Sequence, residues 1–183
     1  MKTILVFAGS PRENGHTAHM IDEAVKGARS VGAEIRLYDL NAEGIRGCQG
    51  CFYCRTYEGC ATKDYLQPMY GHLKFADGIV FSSPIYFYDI TGQAKTWIDR
   101  LFPAIGPDFK PRWPGKKLLA LYSQGNGDEN CYQGAMQRTH DIFSGFGWTV
   151  TDSILCAGTT DSDSALTEDH LKRAFAAGVA LAS

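Results

Sequence analysis

The chain has 183 residues, 44% of them apolar and 21% charged, with a formal net charge of −2. That length suits one compact domain with a real core and excludes wholesale disorder. The near-neutral balance, without any Lys/Arg-rich run, excludes the electrostatic footprint of a nucleic-acid binder, and no apolar stretch approaches the roughly 20 residues of a membrane-spanning helix.

Met1-Lys2-Thr3 leads straight into Ile4-Leu5-Val6-Phe7. This run is too short and wrongly flanked for a signal peptide, so it reads as a buried first strand and a cytoplasmic location is expected. Ala18, Ile21, Val25 and Ala28 then recur at spacings of three and four, the apolar face of a helix that Gly32 stops. Glu34 to Tyr38 predicts a second strand, and a polar, cysteine-bearing stretch follows from about Asn41 to Lys63. Leu66, Met69, Tyr70 and Leu73 suggest a helix, and Gly78 to Phe81 a third strand. Gln93 to Phe102 reads as a helix stopped by Pro103, Lys117 to Tyr122 as a fourth strand, and Tyr132 to Phe146 as a helix ended near Gly147. Thr149 to Leu155 is the fifth strand; Leu171, Phe175 and Val179 form the apolar face of a closing helix with Glu168 and Asp169 in its first turn.

Strands alternating with helices predict an α/β fold with a parallel sheet covered on both faces. Five strands fit the doubly wound, flavodoxin-like order 2-1-3-4-5, in a single domain over residues 1–183 with a cysteine-rich insertion at about 41–63. Such sheets bind ligands beyond the carboxyl ends of their strands, where strand order reverses. The loops after the first, third and fourth strands are therefore the ones to read for chemistry.

The first loop, Gly9-Ser10-Pro11-Arg12-Glu13-Asn14-Gly15-His16-Thr17, opens a helix. A helix N-terminus attracts phosphate; Ser10 and Thr17 add hydroxyls, Asn14 an amide and Arg12 a positive charge, while Gly9 and Gly15 let the backbone turn closely. The alternative is a Ser/Asn/Gly-rich turn with an ordinary cap. His16 either contacts the phosphate, caps the helix or is solvated. The loop is neither a Walker A loop nor a G-x-G-x-x-G fingerprint, so Asp39 reads as a loop or cap residue rather than a ribose ligand. After the third strand, Ser82-Ser83-Pro84-Ile85-Tyr86-Phe87-Tyr88 offers aromatic groups that face a flat heterocycle or pack on a neighbouring loop or subunit. After the fourth, Ser123-Gln124-Gly125-Asn126-Gly127-Asp128 exposes N–H groups, although taken alone it reads as a turn.

Together, Gly9-Ser10-Pro11-Arg12 with Asn14-Gly15-His16-Thr17, Ser83-Pro84-Ile85-Tyr86-Phe87, and Gln93-Ala94-Lys95 with Ile98-Asp99-Arg100-Leu101 resemble the NAD(P)H-dependent FMN reductase family of flavodoxin-like proteins. The resemblance runs over nearly the whole chain. It implies FMN as cofactor, with the phosphate in the first loop at Ser10, Arg12, Asn14 and Thr17. It also implies the ribityl chain and ring along Pro84, Ile85, Tyr86 and Phe87, and the ring's polar edge at Ser123, Gln124, Gly125 and Asn126. Gly15 and His16 belong to the same loop, His16 standing where relatives often have Asn. NAD(P)H as a transient co-substrate, a small-molecule or protein electron acceptor, and assembly as a homodimer or homotetramer are implied likewise. Lys95, Asp99 and Arg100 read as structural or interfacial.

Cys48, Cys51, Cys54 and Cys60 form C-x2-C-x2-C-x5-C. In a cytoplasmic chain they are not expected to be structural disulfides. Compact C-x2-C-x2-C runs hold four-iron [4Fe-4S] clusters; four-cysteine zinc sites usually separate two knuckles by a longer insert, and a C-x2-C redox pair leaves two thiols unexplained. A loop of free thiols beneath a subunit contact is the remaining alternative. The run resembles the iron–sulfur flavoprotein branch of the same family, in which a cluster exchanges electrons with FMN. Cys131 and Cys156 read as small core residues. Three functions stay open: an NAD(P)H-dependent flavin or quinone-type reductase, an iron–sulfur flavoprotein fed by a ferredoxin-like donor, and a non-enzymatic FMN-binding redox module. A simple flavodoxin-type carrier is disfavoured, because such carriers are commonly strongly acidic to meet basic partners. No hydrolase arrangement and no H-E-x-x-H pairing is present.

Overall fold

The computed structural model describes residues 1–160 and 165–183. Five parallel strands form the sheet: β1 (Thr3–Ala8), β2 (Glu34–Asp39), β3 (Gly78–Tyr86), β5 (Lys117–Ser123) and β6 (Thr149–Cys156), in the order β2-β1-β3-β5-β6. The expected order is therefore present. A sixth strand, β4 (Asp89–Ile90), was not anticipated; β3 continues through Ser82-Ser83-Pro84 to Tyr86, and β4 folds back antiparallel on its end. Polar Ser82 and Ser83 disguise this extension as a loop, yet both are fully buried.

Period-two alternation sends β1 side chains to two different cores. Ile4 and Val6 meet Met20, Ile21 and Ala24 of α1 (His16–Ser30) and Ala174 and Leu181 of α6 (Glu168–Ala182). Leu5 and Phe7 face α3 (Met69–Phe75), α4 (Gly92–Asp99) and α5 (Gln133–Gly145) across an aromatic core. There Trp97 stacks on Phe7 and Phe81 at centroid distances of 4.2 and 5.5 Å. The short helix α2 (Tyr53–Thr56) lies inside the cysteine-rich segment. Among the described residues no helix is long and apolar enough to cross a membrane.

Two helix expectations need correction. α4 ends at Asp99, and Pro103 lies in a separate single turn, Phe102–Ala104. In α6, Phe175 points outward, and the buried face is Ala174, Gly178, Leu181 and Ala182. The cause is how closely α1 and α6 approach. A Cβ at Gly178 would stand 2.0 Å from the Ala24 carbonyl oxygen, and one at Gly27 2.1 Å from that of Phe175. Reciprocal glycines thus replace the large apolar seam that periodicity suggested.

The β5–β6 register shifts between Leu118 and Leu119, where Thr151 is the extra residue and donates its hydroxyl to the Leu118 carbonyl at 3.2 Å. On the opposite edge, His72 of α3 bridges β2: Arg36 donates to its Nε2 (2.6 Å) and Tyr38 Oη meets its Nδ1 (2.5 Å). Because Arg can only donate, Nε2 accepts, so the neutral ring carries its proton on Nδ1. Burial, and then the Arg36 charge, hold His72 below its ordinary value, while burial pushes the Tyr38 phenol up to about 12.

Gly27→Ala and Gly178→Ala should each cost about 3 kcal/mol by forcing the helices apart, lowering Tm by roughly 6–12 °C; calorimetry of the two variants checks this. His72 and His140 are both depressed by burial, so the unfolded chain binds their protons first as pH falls below the ordinary histidine value of 6.5. Stability present above that value should therefore decline toward pH 5. His72→Gln should flatten that part of the slope, read from urea midpoints at pH 7.5, 6.5 and 5.5.

Candidate functional site

The carboxyl ends of β1, β3 and β5 meet in one cleft. No side chain caps α1: the preceding Gly15 is extended (φ −83°, ψ 167°) and contributes none. The N–H groups of His16 and Thr17 are thus available to an anion, while that of Ala18 already donates to the Gly15 carbonyl at 2.9 Å. Around them lies a niche of about 40 Å³, lined from the first loop by Ser10, Arg12, Gly15, His16 and Thr17. β3 contributes Pro84, Ile85 and Tyr86 to the same niche, and the end of β5 contributes Ser123, Gln124 and Gly125. Thr17 is buried, and Ser10 Oγ accepts from the Arg12 N–H at 3.1 Å, curling the loop.

The niche opens into a trough of about 530 Å³ bordered by Arg12, Ile85, Tyr86, Phe87, Gly125 and Asn126. Asn14 is exposed and lies outside both linings, so it stands apart from the other first-loop candidates. Three residues of the cleft escaped the sequence reading: Tyr132, Thr159 and Thr160. The rule that ligands sit beyond strand ends would have found the two threonines, which follow β6. Asp39, the last residue of β2, accepts from the Asn41 N–H at 2.8 Å and closes the turn that follows.

The cleft is held by backbone contact. Gly9 N–H donates to the Ser82 carbonyl (2.9 Å), and a Cβ at Gly9 would stand 2.5 Å from that oxygen. Thr91, also missed from sequence, ties the same place. Its hydroxyl donates to the Gly9 carbonyl (2.7 Å), its N–H donates to Ser83 Oγ (3.0 Å), and its oxygen caps α4 by accepting from Ala94 N–H (3.2 Å). Gln124 is buried with its amide nitrogen donating to the Asn126 and Asp128 carbonyls at 3.0 and 2.7 Å, which leaves Oε1 buried without a partner among the described residues. A buried acceptor costs about 1–3 kcal/mol until it is satisfied.

At the trough's rim, Phe87 (φ 45°) and Tyr88 (φ 72°) turn the β3–β4 hairpin in the left-handed region, which costs roughly 1–2 kcal/mol for each non-glycine residue. Tyr88 leans edge-on against Tyr132 at 5.3 Å, while Phe87 is 97% exposed.

The four clustered cysteines are free thiols that line one cavity of about 120 Å³ together with Arg100 and Phe102. Cys48 and Cys51 are exposed, Cys60 is half-buried and Cys54 is buried. Burial pushes Cys54 up. Burial also pushes Cys60 up, but hydrogen bonds from Thr62 and Tyr70 and the Arg100 charge outweigh it and lower the thiol overall. Arg55 and Arg112 fix α2: Arg55 lies over the Phe102 and Phe109 rings at 5.0 and 4.5 Å, and Arg112 donates to the Cys54 carbonyl at 3.1 Å. Among the described residues no group of three or more His, Cys, Asp or Glu side chains stands close enough together to hold a metal ion as placed. Of the isolated cysteines, Cys156 is core, its thiol raised to about 11 by burial, whereas Cys131 is exposed at the cleft's edge, accepting from the Asn126 amide at 3.3 Å. Its place in the loop ahead of α5, beyond the end of β5, keeps it out of the core.

A doubly wound parallel sheet with a niche at a helix N-terminus and an open trough at its carboxyl edge is the flavodoxin-like arrangement. Residues 2–161 match the family model described as NADPH-dependent FMN reductase, and the chain belongs to that family of FMN-dependent NAD(P)H oxidoreductases. It is 32% identical over 139 residues to an iron-sulfur flavoprotein of Methanocaldococcus jannaschii, covering 75% of this chain and 68% of that protein. It is 29% identical over 120 residues to an iron-sulfur flavoprotein of Archaeoglobus fulgidus, covering 65% of this chain and 54% of that one. An NAD(P)H:quinone oxidoreductase from Methanothermobacter marburgensis shares the fold at a TM-score of 0.79 and 19% identity, covering 100% of this chain and 98% of that one.

FMN, the family's cofactor, fits this cleft: the uncapped helix suits a phosphate, and the orphaned Gln124 Oε1 suits a hydroxyl or ring N–H. Gly9→Ala should leave the protein folded, at a cost of about 1–3 kcal/mol, while separating the first and third loops. FMN affinity, read by fluorescence titration, should fall by roughly tenfold or more.

Proposed function

We propose that the cleft holds FMN and that the chain uses it to pass electrons from NAD(P)H to a small-molecule or protein acceptor. The observation that carries this reading is the continuity of an uncapped helix N-terminus with an open trough across the strand ends, the two sharing Arg12, Ile85, Tyr86 and Gly125. In this reading Ser10, Arg12, Gly15, His16 and Thr17 surround the phosphate. Pro84, Ile85, Tyr86 and Phe87 lie along the ribityl chain and ring, and Ser123, Gln124, Gly125 and Asn126 meet the polar edge. Bound FMN supplies hydride and electron chemistry, so the chain's task is to bind, orient and shield it. The trough's open side leaves room for nicotinamide and acceptor to visit in turn.

The chain acts as one domain with the cysteine-rich segment inserted between β2 and α3, in the cytoplasm. Exposed aromatic residues at the trough rim favour a homodimer or homotetramer.

A second centre is favoured by the four reduced thiols lining one cavity. In this extension Cys48, Cys51, Cys54 and Cys60 hold a [4Fe-4S] cluster that exchanges electrons between a ferredoxin-like donor and FMN.

Thr17→Val tests the phosphate assignment. It should weaken FMN by about tenfold or more, as expected for a lost hydrogen bond to a charged group, and leave riboflavin affinity within about twofold. Equal loss for both ligands would sink it. Anaerobically purified protein should show flavin bands bleached by NADH or NADPH, together with broad iron–sulfur absorption that Cys54→Ala removes while the flavin bands stay. Protein without iron and sulfide would leave FMN working alone.

A further inference from the structure

Arg100, just past α4, is 1% exposed, and it forms a buried ion pair with Asp64 through Nη1–Oδ2 (2.5 Å) and Nη2–Oδ1 (3.0 Å). The same guanidinium reaches both ends of the cysteine-rich segment. Nη1 donates to the Arg46 carbonyl (2.6 Å), two residues before Cys48, and Nη2 reaches the Thr62 carbonyl (3.5 Å), two residues after Cys60. Nε donates to Tyr70 Oη (3.2 Å), and that hydroxyl donates back to the Arg100 carbonyl (3.0 Å). The side chain also forms part of the wall of the cysteine cavity.

From this geometry we infer that Arg100 is the positioning residue of the cysteine cavity, closing segment 47–61 at both ends so that Cys54 and Cys60 are held inward before any metal arrives. A planar fork of five N–H donors can serve two carbonyls, a carboxylate and a phenol together; a lysine ammonium has three donors and no fixed plane. Closing a loop in advance also removes from metal binding the entropy of gathering its ligands. The relevance to a cluster rests on the four-cysteine reading above. The positioning role itself is tested without metal.

The experiment is residue-resolved alkylation of the reduced, metal-free full chain with N-ethylmaleimide, followed by mass spectrometry. In the natural protein Cys48 and Cys51 should react fast, and Cys54 and Cys60 slowly. In Arg100→Lys, Cys54 and Cys60 should react roughly 10- to 100-fold faster, the equivalent of losing a charge-assisted hydrogen bond. Cys48 and Cys51 should change by less than about twofold, and Cys156, in the opposite core, should stay protected. If Cys156 also opens, the fold has failed, and Tyr70→Phe decides, with a smaller acceleration expected at Cys54, the thiol read there because Tyr70 hydrogen-bonds Cys60 directly. Natural rates at Cys54 and Cys60 in Arg100→Lys together with a natural rate at Cys54 in Tyr70→Phe, or that last result alone where Arg100→Lys does not fold, overturn the inference. After reconstitution with iron and sulfide, Arg100→Lys should lose its cluster spectrum to a chelator faster than the natural protein while retaining FMN. A natural protein that takes up no iron defeats the cluster reading and leaves the alkylation result to judge Arg100.

Discussion

Two loop backbones touch at Gly9, and the cleft follows from that contact. The N–H of Gly9 reaches the Ser82 carbonyl only because no Cβ stands between them, and Thr91 seals the junction with three hydrogen bonds, one of which caps α4. The uncapped turn of α1 and the end of β3 are therefore fixed relative to each other by the scaffold and not by a ligand. On the far side of α1, Gly27 and Gly178 press α6 against it, so the helix whose N-terminus faces the niche is held along its length. Rigidity of this kind is what a phosphate site needs, since donors that are already placed cost little to organise at binding.

The sheet was legible in the sequence because parallel strands buried on both faces are written as unbroken apolar runs. Ile4 to Phe7, Gly78 to Phe81 and Lys117 to Tyr122 carry that signature. The reading failed where burial is supported by hydrogen bonds instead of hydrocarbon. Ser82 and Ser83 look like loop residues, and the hairpin beyond them turns on Phe87 and Tyr88, whose positive φ no propensity announces. Phe175 misled for the opposite reason: periodicity rewards large apolar groups, while the α1–α6 seam is made of atoms that are missing. Most of the first-, third- and fourth-loop candidates do converge on one cleft, whereas Asn14 lies outside its lining and Thr91 enters from a helix cap that the sequence reads only as punctuation.

Arg100 was legible as a structural or interfacial residue on a helix, without its partners. Its burial appears only once the chain brings the cysteine-rich segment under the end of α4. Taking two charges out of water is expensive, and an apolar pair of the same volume would serve stability about as well. What an apolar pair lacks is direction: it cannot reach toward the carbonyls of Arg46 and Thr62. The ion pair therefore makes sense as a device that selects one course for the irregular chain around the thiols.

The extra residue at Thr151 reaches beyond its own strand. β6 is an outer strand of the sheet, and an open row of backbone groups there would invite another strand to join. The bulge breaks the even spacing that such a joining strand would need, and Asp152 sets a charge beside it. Along β2, the other outer strand, Glu34 and Arg36 pair across the surface at 2.7 Å. With both margins blunted, the sheet ends within one chain. Neither margin offers another strand an even, open row of backbone groups to extend.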